Sequence, residues 1–413
     1  MARHNRPFRL YCTTNEAFPI KLVDVVDLFL RELKDRGVEQ EWFCGSQTPG
    51  PLRRETVAGV PVIVPPYSTR FGAPGKAVSK LLYWLLDTVY LLRFLFKPVD
   101  VIQVRDKYFA AVVGLIVARL TGRVFTVWLS YPYPEDSLDN AAETGGLRSL
   151  YQKLSGALGI AMLYKLAMPL ADHCFVQSEQ MREDLHQLRG IALEKMTPVP
   201  MGISNRIRDL PAPRTDTHDG HQTVMYLGTL YRVRRLETMI DAFIEVARAR
   251  PAVRFLIVGD GLVPSERGDL EARVEHAGVA DRFDFTGFIP IEQAWQKIGE
   301  ADICVSPFLA NRVLRVASPT KLVEYMAFGK PVVANDHPEH TRVLNQSGGG
   351  VCVPWSVEGF ANGVLTCLDD PESAREMGRK GREWVLEHRT YDRLAEQVQS
   401  LYEQLLDKKH GGR

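Results

Sequence analysis

Two alternating series of strand-like and helix-like segments, separated by one break, leave this chain few folds to choose from. Short apolar runs at 8–13, 38–44, 60–64, 99–104, 123–130 and 171–177 are interleaved with helical patterns at 20–36, 81–96, 108–120 and 178–188. Gly37 supplies a stop for the first helix. Strands at 223–228, 253–259, 283–287, 301–306 and 331–334 then alternate with helices at 235–250, 270–277, 292–299 and 319–328. Helices at 358–369, 371–388 and 391–406 follow. Between the series, 205–222 contains Pro211 and Pro213 and no apolar periodicity, so it reads as a linker. The pattern predicts α/β architecture with two doubly wound parallel sheets dividing near residue 205. Ligands of such sheets bind outside the carboxyl ends of the strands. Two such domains imply a cleft, and the motifs below fall at those strand ends.

Composition narrows the partners. Of 413 residues, 51 are Lys or Arg and 50 are Asp or Glu, giving a net charge of +1. A dedicated nucleic-acid binder would carry a clear basic excess. Hydrophobic residues at 45% and charged residues at 24% exclude disorder and a polytopic membrane protein. The six cysteines form no C-x-x-C pair, so they read as buried thiols rather than metal ligands. The basic start M-A-R-H-N-R-P-F-R is followed by no apolar core of a signal peptide, so a cytoplasmic protein is expected.

Membrane contact is a separate matter. The stretch L-L-Y-W-L-L-D-T-V-Y-L-L-R-F-L-F at 81–96 is strongly apolar but short for a membrane span. Residues 70–123 hold nine basic and three acidic side chains. Two readings stay open: a core helix packed on a sheet, or a basic, apolar helix lying in a membrane interface.

The most informative segment is S-P-T-K-L-V-E-Y-M-A-F-G-K-P, 318–331. Ser318 is suited to the N-cap and Pro319 to the first helical position. The backbone N–H groups of Thr320, Lys321 and Leu322 would then be open to a phosphate, aided by the helix dipole. Glu324, farther along the helix, is out of place beside an anion unless it accepts from hydroxyls, as a ribose diol would provide. An ordinary capped helix with a surface Glu is the alternative.

This segment resembles the nucleotide-binding helix of glycosyltransferase family 4, retaining enzymes of the GT-B fold. So do M-Y-L-G-T-L-Y-R-V-R-R-L-E (225–237), F-L-I-V-G-D-G (255–261), F-T-G-F-I-P (285–290), A-D-I-C-V-S-P-F (301–308), G-K-P-V-V-A (329–334) and V-P-M-G-I (199–203). The resemblance implies two Rossmann-like domains facing a cleft. Residues 1–204 would bind the acceptor and 205–390 the nucleotide sugar, with the helix of 391–413 returning to the first domain. It implies that Glu324 holds the donor ribose, and that Thr320, Lys321 and Leu322 hold the diphosphate and sugar. Arg235 would clamp the diphosphate with Arg232 nearby. Gly228 and Thr229 would line the donor site, and Phe288 and Ile289 would contact the base. A cation with oriented N–H groups stabilises the charge that develops on a departing diphosphate.

The sequence also departs from the family pattern. Val316 stands where a first Glu of the paired-Glu motif is expected. Thr229 stands where an Arg follows the first strand's Gly; Arg232, Arg234 or Arg315 are candidates to replace that charge. T-N-E-A-F-P (14–19) replaces a Gly-Gly loop. W-L-S-Y-P-Y-P-E-D (128–136) has no His where the family often carries one. There, Ser130, Tyr131 and Glu135 are candidate acceptor contacts, or parts of a proline-stiffened loop. Arg105, Asp106 and Lys107 end another strand, as cleft residues or as an ion-paired loop. His173 reads as structural. No D-x-D, H-E-x-x-H or G-x-S-x-G occurs, so neither a metal nor a cofactor beyond the donor is expected.

The expected function is retaining transfer of a sugar from a nucleotide-diphosphate sugar to an acceptor, lipid-linked or another glycan, at the inner face of a membrane. No protein nucleophile is implied, the departing phosphate assisting the attack. Two rivals are a soluble-acceptor glycosyltransferase or nucleotide-sugar epimerase, and a catalytically silent nucleotide-sugar-binding partner.

Overall fold

The computed structural model describes residues 7–70, 72–210 and 221–411. Pro211 and Pro213 of the expected linker lie outside the described residues. The chain forms two compact units, one built from the residues up to Pro200 together with those from Tyr391 onward, the other from Met201–Thr390. The sequence reading divided the chain four residues later. Met201 and Ile203 belong to the second unit because their N–H groups donate to Ser318 Oγ at 3.0 Å and to the Arg389 carbonyl at 2.7 Å.

The first unit is built on strands β1 (Arg9–Phe18), β2 (Glu39–Ser46), β3 (Arg53–Val57), β4 (Val60–Val64), β5 (Val101–Arg105), β6 (Val124–Leu129), β7 (His173–Val176) and β8 (Met196–Pro198). They form one eight-stranded sheet in the order β3-β4-β2-β1-β5-β6-β7-β8. All neighbours are parallel except β3 and β4. That hairpin turns through Ala58 and Gly59 at φ 51° and 76°, the left-handed pair that a two-residue connection needs. Central strands β5 and β6 are buried throughout, as parallel strands covered on both faces should be.

On one face, Phe29 of the helix Asp24–Leu33 meets Trp128 edge-on at 4.5 Å between ring centroids. The last helix, Tyr391–Gly411, covers the same face, and its Tyr402 hydroxyl donates to Gln103 Oε1. Residues 131–170, to which no element is assigned from sequence, form the helices Tyr133–Glu143, Gly146–Gly159 and Ile160–Ala167. Pro134 sits in a first helical turn, where its missing N–H costs nothing.

The second unit is a six-stranded parallel sheet of β9 (Gln222–Leu227), β10 (Val253–Val258), β11 (Phe283–Gly287), β12 (Ile303–Ser306), β13 (Val332–Asn335) and β14 (Gly350–Val353). Its order is β11-β10-β9-β12-β13-β14. The chain winds one way from β9 and then the other, so the order reverses beside β9, where open α/β sheets take ligands. Apolar clusters cover both faces of this sheet.

Candidate functional site

The reversal point organises the predicted donor residues. The helix Thr320–Ala327 is fixed to the end of β9 by Tyr325, whose hydroxyl accepts from Leu227 N–H at 2.7 Å and donates to the Leu227 carbonyl at 3.3 Å. Tyr325 is fully buried, and burial raises its pKa well above the ordinary value, so it serves here as a neutral hydrogen-bonding group. The helix begins one residue later than expected. Ser318 does not cap it, because its hydroxyl takes the Met201 N–H and lies 3.4 Å from Glu339 Oε1. Glu339 is itself paired with Arg389 at 2.7 Å. The helix start has no side-chain cap, so the N–H groups of Thr320, Lys321 and Leu322 keep the open character of a helix N-terminus.

Glu324 is nearly buried on this helix. Its Oε2 lies 2.6 Å from Lys321 Nζ, one turn back. The pair neutralises a carboxylate close to the helix start and fixes its direction. Val316, in the place expected for the first Glu of the paired-Glu motif, is buried in the short turn Leu314–Val316. Arg315 of that turn is exposed.

The loop after β9 sorts the arginines. Gly228 N–H donates to the Val258 carbonyl at 2.9 Å, and Leu230 N–H donates to the Asp260 carbonyl at 2.9 Å. The two loops pass so closely that a Cβ on Gly259, at φ 135°, would fall 1.9 Å from the Gly228 carbonyl oxygen. Thr229 Oγ1 accepts from Arg234 Nε at 2.7 Å, and the Arg234 guanidinium stands 5.8 Å from the Phe308 ring centroid, just beyond β12. Arg234 is therefore held between the ends of the two strands that flank the reversal. Arg232 instead pairs with Asp269 at 2.6 Å, and Arg235 reaches Glu237 at 3.6 Å; both are about two-thirds exposed. Arg235 also has φ 51°, in the left-handed region. The structure thus brings Thr229 together with Arg234, and does not show Arg232 or Arg235 joining them. Phe288 is largely exposed after β11, while Ile289 packs on the core below.

Phe308 is set by Asn335, which accepts its N–H at 2.8 Å and donates to its carbonyl at 3.0 Å. Behind it, His340 is fully buried, and burial lowers its pKa to about 3. His337 is lowered for the same reason. Sequence reading passed over this pair; both rings act as neutral supports under Phe308.

The strand ends of the first unit are different. Arg105 Nη2 lies 3.0 Å from Asp24 Oδ2, with both side chains buried. Asp106, at φ 59°, accepts both the N–H and the hydroxyl of Ser130. Lys107 Nζ lies 2.9 Å from Asp87 and 2.6 Å from Thr13 Oγ1. Of the other acceptor candidates, Tyr131 donates to Asp136 at 3.0 Å, and Glu135 takes Arg189 at 2.7 Å and Tyr164 at 2.9 Å. Strand β1 runs on through Thr14–Phe18, the segment that stands in place of the family's Gly-Gly loop. His173 contacts Thr197 Oγ1 at 2.8 Å, and burial lowers its pKa to about 4. The six cysteines are unbridged. Among the described residues, no group of three or more His, Cys, Asp or Glu is placed to hold a metal ion.

Comparison with known proteins gives these arrangements a lineage. A family model described as glycosyl transferase 4-like domain matches residues 24–202, and one described as glycosyl transferases group 1 matches 221–370. The 2-deoxystreptamine glucosyltransferase of Streptomyces kanamyceticus is 29% identical over 202 residues, covering 46% of this chain and 47% of that protein. A GDP-mannose-dependent alpha-(1-6)-phosphatidylinositol monomannoside mannosyltransferase of Mycobacterium tuberculosis is 27% identical over 206 residues, covering 48% of this chain and 53% of that one. The chain thus spans about half the length of these curated relatives. Anabaena Alr3699/HepE, solved in complex with UDP, has a TM-score of 0.65 at 16% identity, covering 96% of this chain and 100% of that one, which is a likeness of fold. The two family models follow one another along the chain, one on each doubly wound unit, and on that basis the chain belongs to glycosyltransferase family 4, the group 1 glycosyl transferases, and has the GT-B fold.

Proposed function

We propose that this protein transfers a sugar, with retention, from a nucleoside-diphosphate sugar bound by the second unit to a lipid-linked acceptor served by the first. The observation that carries the donor half is the uncapped start of the helix Thr320–Ala327, tied by Tyr325 to the strand end that also holds Arg234. In this reading the N–H groups of Thr320, Lys321 and Leu322 and the guanidinium of Arg234 take the diphosphate. Arg234 takes the role that the resemblance implied for Arg235, with Arg232 nearby. Glu324 accepts from the ribose hydroxyls, sharing its charge with Lys321. Gly228 and Thr229 line the approach, and Phe288 and Ile289 flank the base.

The chemistry is bond exchange at the anomeric carbon. The bond to the diphosphate oxygen breaks, the acceptor oxygen bonds on the same face, and the acceptor proton leaves on a phosphate oxygen. Charge grows on the departing diphosphate, and fixed donors stabilise it without reorganising. Positioning supplies most of the remainder. No metal held by the protein takes part. The relatives support the class of partner: one is named for a GDP-mannose donor and a phosphatidylinositol glycolipid, and one structural neighbour was solved with UDP.

The test is a panel of UDP- and GDP-sugars assayed for nucleoside diphosphate release, with and without added lipid-linked glycan and with EDTA present. One donor should be consumed in EDTA, faster with the lipid-linked acceptor. Consumption of none, or interconversion of the sugar without nucleotide release, would contradict the reading.

A further inference from the structure

The helix Ala73–Leu92 is turned inside out. Its inward positions include the buried polar side chains Ser79 and Asp87, and Asp87 is anchored to Lys107 and Thr13. Its outward stripe is Val78, Leu81, Leu85, Val89 and Leu92, at helical spacing, with Leu81 64% exposed. The core-helix reading therefore fails for most of its apolar side chains; Leu91, followed by Phe94, goes inside.

The helix Gly146–Gly159 repeats the arrangement. Gly156 and Gly159 face inward, and a Cβ on Gly156 would lie 2.6 Å from Leu138 Cγ. Outward stand Leu147, Leu150, Tyr151, Leu154 and Leu158, with Leu147 86% exposed. The two helices meet where Lys80 Nζ donates to the Tyr151 hydroxyl at 2.9 Å and lies 5.2 Å from the Trp84 ring centroid. Two neighbouring helices that bury small and polar groups while presenting leucines form one apolar platform, larger than isolated surface leucines would make.

Charge says what covers it. Between residues 145 and 171 the sequence has Arg148, Lys153 and Lys165 and no Asp or Glu. On the other helix Lys76 and Lys80 stand beside the leucines, and the single acid, Asp87, is buried. A second copy would bring like charges together. Anionic headgroups complement the basic side chains, while leucines enter the acyl boundary and Trp84 and Tyr151 suit the level between. Among the described residues, no helix is long and apolar enough to cross a membrane, so the platform lies on the surface.

We propose that the two helices together form the face by which this protein binds the surface of an anionic lipid bilayer. This deepens the lipid-linked acceptor reading and rests on it for its purpose. Its test needs no donor: the full chain, without nucleotide, is floated with phosphatidylcholine vesicles with and without phosphatidylglycerol. Binding should appear with phosphatidylglycerol and weaken in high salt. It should fall on the order of tenfold or more for the double variant Leu81→Glu and Leu154→Glu, and also for Lys76→Glu with Lys153→Glu. These side chains are exposed, and an unchanged circular dichroism melt verifies the fold. No vesicle binding, binding indifferent to phosphatidylglycerol, binding unchanged in the leucine variant, or a dimer that the leucine variant disperses would each overturn the proposal. Nucleotide release without lipid, measured separately, shows whether the donor reading stands or falls independently.

Discussion

The strand ends of the two units carry similar residue types and use them in opposite ways. In the first, Arg105, Lys107, Asp24, Asp87 and Asp106 are buried and answer one another. In the second, Arg234 has a hydroxyl and an aromatic face as neighbours, and the helix start at Thr320 has no cap. A charge already matched by a buried partner holds the fold together. A cation and a row of amides without an acid against them can answer an incoming anion. This difference is what supports the proposal that the second unit holds the donor.

The largest effect should come from the first unit. Arg105→Ala leaves Asp24 and Asp106 buried without their cation and should cost about 3–5 kcal/mol of stability, read by urea unfolding. Arg234→Ala should leave stability within about 1 kcal/mol and lower turnover about 10²–10³-fold, as removal of one preorganised donor does. If Arg234→Ala instead unfolds the protein while Arg105→Ala leaves it stable, the contrast is wrong. Glu324→Ala removes acceptors for two hydroxyls and should weaken nucleotide binding by roughly 10–100-fold, about 1.4–2.7 kcal/mol, measured by calorimetry.

Acid probes the second unit's support. His340 is held neutral, its pKa lowered from 6.5 to about 3. The unfolded chain takes up that proton first, so this stabilisation is complete above about pH 6.5 and is lost as pH falls towards 3. By linkage it should amount to about 2 kcal/mol between pH 7.5 and 5. A pH-independent melting temperature over that window would contradict it. The smallest effect concerns Arg235. At φ 51° a side chain is strained, so Arg235→Gly should raise stability by about 1 kcal/mol and leave turnover nearly unchanged. A loss of turnover there matching Arg234→Ala would return the clamp to Arg235.

Much of this was legible in advance. Period and turn residues gave both doubly wound sheets, because parallel strands buried on two faces read as continuous apolar runs. The edge strand β3 was missed because Arg53, Arg54 and Glu55 carry no apolar pattern. The helices of 133–167 were missed in part because the one at Gly146–Gly159 presents its leucines to the outside, which defeats a search for a buried stripe. At the site, Thr320–Glu324 stood out through their spacing. The choice among Arg232, Arg234 and Arg235 did not, since three arginines within four positions look alike in sequence and only the contacts of Arg234 with Thr229 and Phe308 set it apart.

In the proposed donor site, a nucleoside diphosphate binds between the start of the Thr320–Ala327 helix and Arg234. Calorimetric titration of the full chain with UDP and GDP tests it most directly, alongside the Glu324→Ala and Arg234→Ala variants. One of the two nucleotides should bind, and each substitution should weaken it at least about tenfold, 1.4 kcal/mol, in a protein that melts as the wild type does. Binding of equal strength in wild type and both variants, or binding of neither nucleotide, would contradict it.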